Sequence, residues 1–209
     1  MATVRGQPFL SFLLDQLVAT GIRSAVLCTG YLGEQVRAVF GQFYRNLPLD
    51  YSHEPLPLGT GGALQLALPL ITSDFVLILN GDSLCRFQSD NFWAWHCDHR
   101  SEATLLLTHV SDGARYGRVQ VGRDGRITSF EEKDGNKGSG WINAGVYLIS
   151  RRLIQTIPPD RSVSLEREMF PIWISEGLYG CQIGDAFLDI GTPESLALAA
   201  DFFASKVPA

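Results

Sequence analysis

Phe75-Val76-Leu77-Ile78-Leu79-Asn80-Gly81-Asp82 is the stretch that decides the fold. Five apolar residues in a row are too few for an ordinary helix and read as a strand buried on both faces. Asn80-Gly81 stops that strand, because both residues favour turns. Asp82 is thereby left just beyond its carboxyl end. A strand buried on both faces needs a covering layer on each side. The sequence upstream supplies strand and helix in alternation: Ser24 to Thr29 as a short buried strand ending at Gly30, then Leu32 to Phe40 as a helix. Glu54 to Gly62 reads as a loop, and Ala63 to Leu68 as a helix stopped by Pro69. Downstream, the pattern predicts a helix from Asn91 to His99 and a strand from Ala103 to Val110.

Near the start, Leu10, Leu13, Leu14, Leu17 and Val18 recur at the spacing of an amphipathic helix, and Gly21 is placed to cap it. The texture changes after Val110. Gly117 to Val121, a turn at Arg123-Asp124-Gly125, and Arg126 to Phe130 predict a β-hairpin. Trp141 to Ile149 reads as another strand. Helices are expected near Arg151 and from Ser164 to Ser175, with a strand from Leu178 to Ile183. Thr192 as N-cap and Pro193 as first helical residue open a last helix. The sum is an α/β fold: a mostly parallel sheet with helices on both faces and a small β-hairpin insertion, in one domain over residues 1–209.

The composition excludes several classes. With 209 residues and 45% hydrophobic content the chain has ample material for a packed core, which argues against disorder. A net charge of −5 argues against nonspecific nucleic-acid binding, which needs a basic face. Cys28, Cys85, Cys97 and Cys181 form no CxxC pair, so they read as reduced thiols of a cytoplasmic protein. His96-Cys97-Asp98-His99 looks briefly like a ligand cluster but reads as a polar helix end. The apolar run Pro8 to Leu14 is cut short by Asp15 and Gln16, too soon for a signal peptide, and no run reaches transmembrane length. No membrane partner is expected.

Ligands of such sheets bind beyond the carboxyl ends of the strands. That rule draws attention to Gly59 to Gly62, Asp82 and Asp189. Gly59-Thr60-Gly61-Gly62 precedes a helix, where glycines admit a ligand and free N–H groups face it; a tight turn explains the same glycines. Asp82 and Asp189 each follow a strand and could bind Mg²⁺, although either could simply cap a turn. Glu131-Glu132-Lys133 offers Lys133 to a phosphate and Glu132 to sugar hydroxyls, or is a solvated charge cluster. Asn143-Ala144-Gly145 interrupts an apolar strand and suggests a close ligand or a bulge.

Together these stretches resemble the sugar-1-phosphate nucleotidyltransferases, in particular the guanylyltransferases for mannose 1-phosphate and D-glycero-D-manno-heptose 1-phosphate. The matching pieces run in family order: Val4 through Leu10, Gly30-Tyr31, Glu54 through Ala63, Asn80-Gly81-Asp82, Tyr116-Gly117, Phe130 through Lys133, Asn143-Ala144-Gly145 and Asp189 through Pro193. The resemblance implies the Rossmann-like fold of the nucleotide-diphospho-sugar transferases, with Asp82 and Asp189 holding Mg²⁺ and Lys133 gripping the sugar phosphate. It implies that Gly117, Glu132, Asn143 and Gly145 line the sugar pocket, and that Glu54, Gly59, Thr60 and Gly61 face the nucleobase. The expected partners are a nucleoside triphosphate, GTP by the donor pattern of guanine against an ionised Glu54, and a sugar 1-phosphate. A homo-oligomer is compatible with the sequence.

The resemblance also breaks at one place. The family opens with a strand and a G-x-G-T-R-L loop around the triphosphate, and Met1 to Val4 resemble the stretch that follows them. The expectation is a chain truncated at its N-terminus, with the first, central strand missing, and of low stability. A noncatalytic nucleotide-sugar-binding homologue and a glycosyltransferase of related fold are the alternatives. The second lacks support in an Asp-x-Asp pair, since Leu84 stands two residues after Asp82.

Overall fold

The computed structural model describes residues 1–113, 116–131 and 138–204. It opens with a two-stranded ribbon, β1 (Thr3–Val4) and β2 (Gln7–Pro8), and helix α1 (Phe9–Ala19). Then come β3 (Ala25–Thr29), α2 (Gly33–Phe40), β4 (Phe43–Tyr44), β5 (Leu47–His53) and α3 (Gly59–Ala67). The central strand β6 (Phe75–Leu79) leads to β7 (Ser83–Cys85), α4 (Ser89–Asp98), β8 (Ala103–Val110), β9 (Arg118–Val121) and β10 (Ile127–Glu131). The last third holds β11 (Gly140–Ser150), α5 (Arg151–Ile154), a π-helical turn Leu165–Met169, α6 (Phe170–Trp173), β12 (Leu178–Gly184), β13 (Phe187–Asp189) and α7 (Pro193–Ala204).

β11 runs antiparallel to both β6 and β8, and β12 runs parallel to β8. So β6, β8, β9 and β12 share one direction, and β11 and β10 oppose them. β3 and β5 form a second parallel pair. This is the mixed α/β fold with a mostly parallel sheet that the alternating pattern predicts. The hairpin β9–β10 joins the sheet edge at Ile142 and Arg118.

Strand alternation distributes the core between two faces. Leu105, Leu107, Tyr147 and Ile149 point to one side, where α3, α5, the π-helical turn and α6 cover them with Leu64, Ile154, Met169 and Phe170. Leu106, Val146 and Leu148 point to the other side, against Phe92 of α4. α1 and α7 close the ribbon end through Phe9, Leu13 and Ala199 around Leu84 and Leu188. No described helix is long and apolar enough to cross a membrane.

Three local expectations are corrected. Leu47–His53 is a strand that the sequence pattern does not mark. Its buried Leu47 and Leu49 alternate as strand residues should, but Pro48 between them masked the signal. α3 starts at Gly59 rather than at Ala63. Its first glycines are weak helix formers, and the contacts described below hold them. The helix expected from Ser164 to Ser175 is a π-helical turn followed by a short α-helix. Pro171 has no N–H to donate to residue 167, so the regular ladder cannot run through.

Candidate active site

β6 ends at Leu79, and the turn Asn80-Gly81-Asp82 redirects the chain into β7. β7 pairs antiparallel with β13, with Asp189 opposite Ser83. The Ile190 N–H donates to the Asp82 carbonyl oxygen at 2.8 Å, which pins the two turns together. Both carboxylates therefore come to the same spot. A Cβ on Gly191 would stand 3.5 Å from each Asp189 carboxylate oxygen and 3.7 Å from Asp82 Oδ2. Partial burial, then the negative charge of Asp189 and that of Glu166, raise the Asp82 pKa above its ordinary value; a backbone hydrogen bond opposes them. Asp82 keeps one side exposed to water, so the charge next to it is the more specific of these causes.

Beside the acidic pair lies a network built on Tyr147, which is fully buried. Asn80 and Asn143 each donate from Nδ2 to the Tyr147 hydroxyl, at 3.3 and 3.0 Å. The hydroxyl donates to Glu166 Oε1 at 3.2 Å. Glu166 Oε2 accepts from Thr60 Oγ1 at 2.8 Å and from Ser164 Oγ at 3.0 Å. Burial and the Glu166 charge push the Tyr147 pKa up, so the phenol keeps its proton. The strand β11 bulges between Asn143 and Tyr147. Gly145 sits in the bulge at φ +72°, its N–H donating to Asn143 Oδ1 at 2.9 Å. Ser83 and Asn80 crowd it so closely that a Cβ has no room. The bulge alternative for Asn143-Ala144-Gly145 is thus realised, and its glycine is required by the chain itself.

The glycine loop tells a similar story. The Gly61 and Gly62 N–H groups donate to the Val163 carbonyl oxygen at 2.8 and 3.3 Å. A Cβ on Gly59 would lie 2.6 Å from that same oxygen, and one on Gly62 would lie 2.9 Å from Arg161 O. The free N–H groups expected of Gly61 and Gly62 are corrected: the chain segment 161–163 takes them. Glu54 accepts from the Leu58 N–H at 2.9 Å and packs over Gly30, where a Cβ would meet Oε1 at 2.9 Å. Gly117 directly precedes β9, next to Tyr116, whose ring meets Phe187 of β13 edge-on at 5.5 Å. Glu132 and Lys133 lie outside the described residues.

Asp82, Asp189, Asn143 and Gly145 are therefore brought to one place, with Thr60 tied to it through Glu166. Glu54 stands at the carboxyl end of β5, joined to the rest by Leu58, whose carbonyl accepts from the Val163 N–H at 2.8 Å. Among the described residues no group of three or more His, Cys, Asp or Glu side chains is arranged around one metal position. His96 bonds Thr104 and His99 bonds the Trp95 carbonyl, so neither looks outward for an ion. Sequence reasoning missed Tyr147 and Glu166. Tyr147 carried a signal, since it stands four residues after Asn143 on an otherwise apolar strand; Glu166 had none beyond a capping serine two residues earlier.

The fold is shared with known proteins. The chain belongs to the nucleotidyl transferase family: the family profile described as Nucleotidyl transferase matches residues 1–206. Members of this family are sugar-phosphate nucleotidyltransferases and act as enzymes. A mannose-1-phosphate guanylyltransferase of Mycobacterium tuberculosis is 34% identical over 93% of this chain. The chain spans about half, 55%, of the length of that relative. A D-glycero-alpha-D-manno-heptose 1-phosphate guanylyltransferase of Aneurinibacillus thermoaerophilus is also 34% identical, with 93% of this chain and 84% of the relative covered. Among solved structures, HddC from Yersinia pseudotuberculosis superimposes with a TM-score of 0.87 at 30% identity, covering 97% of this chain and 88% of that one. The same protein complexed with GMP-PN gives a TM-score of 0.85 at 29% identity, over the same 97% and 88%.

Proposed function

We propose that this chain transfers GMP from GTP to a sugar 1-phosphate of the mannose or heptose type. The observation that supports the reading best is the meeting of the Asp82 and Asp189 carboxylates at Gly191. Two carboxylates pressed together repel, and a divalent cation relieves that repulsion. An all-oxygen donor set suits Mg²⁺, which would be held by Asp82 and Asp189 and would neutralise charge on the phosphates. An oxygen of the sugar phosphate attacks the α-phosphorus in line. A new P–O bond forms as the bond to the bridging oxygen of the β-phosphate breaks, and its electron pair leaves with pyrophosphate.

The chain's own residues bind and orient. Lys133 offers its ammonium to the sugar phosphate, while Gly117, Glu132, Asn143 and Gly145 line the sugar. Glu54 accepts the N1–H and N2–H donors of guanine, with Gly59, Thr60 and Gly61 alongside. The relatives named for mannose and heptose 1-phosphates, and the HddC complex with GMP-PN, support these choices of sugar and base. In this proposal residues 1–209 act as one domain in the cytoplasm.

The test is pyrophosphate release with GTP, Mg²⁺ and a panel of hexose and heptose 1-phosphates. GTP should outrun UTP and dTTP, Asp82→Asn should abolish turnover, and Glu54→Gln should erase the base preference. Turnover untouched by Asp82→Asn would overturn the reading. One observation favours a second reading, a binder of nucleotide sugar without turnover: the Gly61 and Gly62 N–H groups are already engaged by Val163. Binding of a GDP-sugar without pyrophosphate release would select it.

A further inference from the structure

Glu166 is an acid that neither the acidic pair nor the expected ligand residues account for. It stands in the π-helical turn Leu165–Met169, a rare backbone form that concentrates at functional sites. Leu165 and Met169 supply the packing of that turn, and packing asks for no charge between them. Glu166 is nonetheless half-buried, and among the described residues no basic side chain pairs with it. Three hydroxyls hold it instead: Thr60 and Ser164 on Oε2, and Tyr147 on Oε1.

The polarity of each bond follows from the chemistry of the partners. The Leu165 N–H donates to Thr60 Oγ1 at 2.8 Å, so the Thr60 hydroxyl is left to donate to Glu166. A carboxylate only accepts, so the Tyr147 proton is committed to Glu166 and the phenol oxygen faces the amides with lone pairs alone. Asn143 must then turn Nδ2, not Oδ1, to Tyr147, at 3.0 Å. Its Oδ1 is meanwhile taken by the Gly145 N–H at 2.9 Å. Each end of the amide thus has a partner that rejects the flipped arrangement. Among the described residues, one Nδ2 hydrogen and one Oδ1 lone pair remain for a ligand, in fixed positions.

We propose that Glu166 is a positioning residue for sugar recognition: by holding the Tyr147 proton it fixes which edge of the Asn143 amide donates and which accepts. The inference rests on the placing of the sugar at Asn143 in the reading above. Sugar hydroxyls both donate and accept, so epimers differ only in where those groups point. A locked amide can tell such epimers apart, whereas one that turns matches several of them. Without Glu166 the Tyr147 proton can swing to the amides, and only the Gly145 N–H still resists the flip.

The test measures binding of mannose, glucose and galactose 1-phosphates to the 209-residue chain by calorimetry, and takes the affinity ratio of tightest to weakest. That ratio should fall by about three- to tenfold in Glu166→Ala, the worth of one neutral hydrogen bond. Glu166→Gln should keep it within about twofold, because the amide oxygen can still accept from Tyr147 while its NH2 faces the oxygens of Thr60 and Ser164. If Glu166→Ala fails to fold, Tyr147→Phe keeps the ring in the core, removes the same lock and should give the same fall. A merely stabilising role would weaken the three sugars alike and leave the ratio unchanged, which would overturn the proposal. So would an equal fall in Glu166→Gln, or an unsubstituted chain that binds the three sugars alike or not at all. The ratio moving as expected in a chain that releases no pyrophosphate would overturn the transfer reaction and leave this inference standing.

Discussion

Two regions of one strand array behave differently. In β8 and β11 the ladder is occupied on both sides, and Leu105, Leu107, Ile149 and Tyr147 show no exposed surface. In β3, residues of equal hydrophobicity are half-buried and line an open cleft. Composition does not separate them, for Ala-Val-Leu-Cys-Thr is as good a buried strand as Thr-Leu-Leu-Leu-Thr. The difference lies in neighbours. An apolar strand contributes its full burial only where a layer covers each face and a strand runs along each edge. The candidate site straddles this division. Asn143 and Gly145 stand on β11 of the completed part, while Asp82 follows β6 and Glu54 follows β5 on the open part.

The sharpest way to break the comparison is a matched pair of truncations. Leu105→Ala, in the closed sheet, should cost about 2 to 5 kcal/mol in urea unfolding. Leu27→Ala, facing the cleft, should cost about 1 to 2 kcal/mol because its side chain is half in water already. Equal losses would mean that the cleft is closed in solution. Next comes Tyr147→Phe, which removes the shared partner of Asn80, Asn143 and Glu166. Leaving those groups unmet should cost about 1 to 3 kcal/mol. A neutral result would show that water reaches the network.

A smaller effect should appear with pH. His96 is buried between α4 and β8, with Nδ1 bonded to Thr104 and Nε2 without a partner. Burial depresses its pKa, against a weaker upward pull from Glu102. A depressed folded-state pKa means stability is present above the unfolded value, about 6.5, and drains away as pH falls below it. The urea midpoint should drop between pH 7.5 and 5.5, and His96→Gln should flatten that slope. An unchanged slope would remove His96 as its cause. The smallest effect belongs to Asp82. Its raised pKa means that its stabilising share exists below the unfolded value and is lost as pH rises through the folded one. Asp82→Asn should therefore raise the melting temperature slightly at pH 7.5, while removing activity. A fall in melting temperature would show that the carboxylate is held by contacts that favour its charge.

Much of this was legible in advance because hydrophobic period is a local property. Phe75–Leu79 and Ala103–Val110 form strands over the residues their pattern marks, and Thr192 caps α7 through its hydroxyl, 3.2 Å from the Ser195 N–H. The losses occurred where distant residues intervene. Gly59 becomes helical because residues 161–163 come close to it, and a run of glycines shows no such neighbour. Glu166 enters the site through a π-helical turn that follows from Pro171 and the packing of Met169 and Phe170, not from its own surroundings in the chain.

The sequence by itself determined the alternation of strand and helix, the sheet class, and the carboxylates stationed at strand ends. Each follows from side-chain period, turn chemistry and charge, which act over a few residues. Only the tertiary structure decided that Asp82 and Asp189 share one position, that the glycine N–H groups are engaged by Val163, and that β3 and β6 face each other across a cleft. Those are relations between segments far apart in the chain, set by ladder pairing and by which apolar faces find a partner. No window of neighbouring residues contains that information.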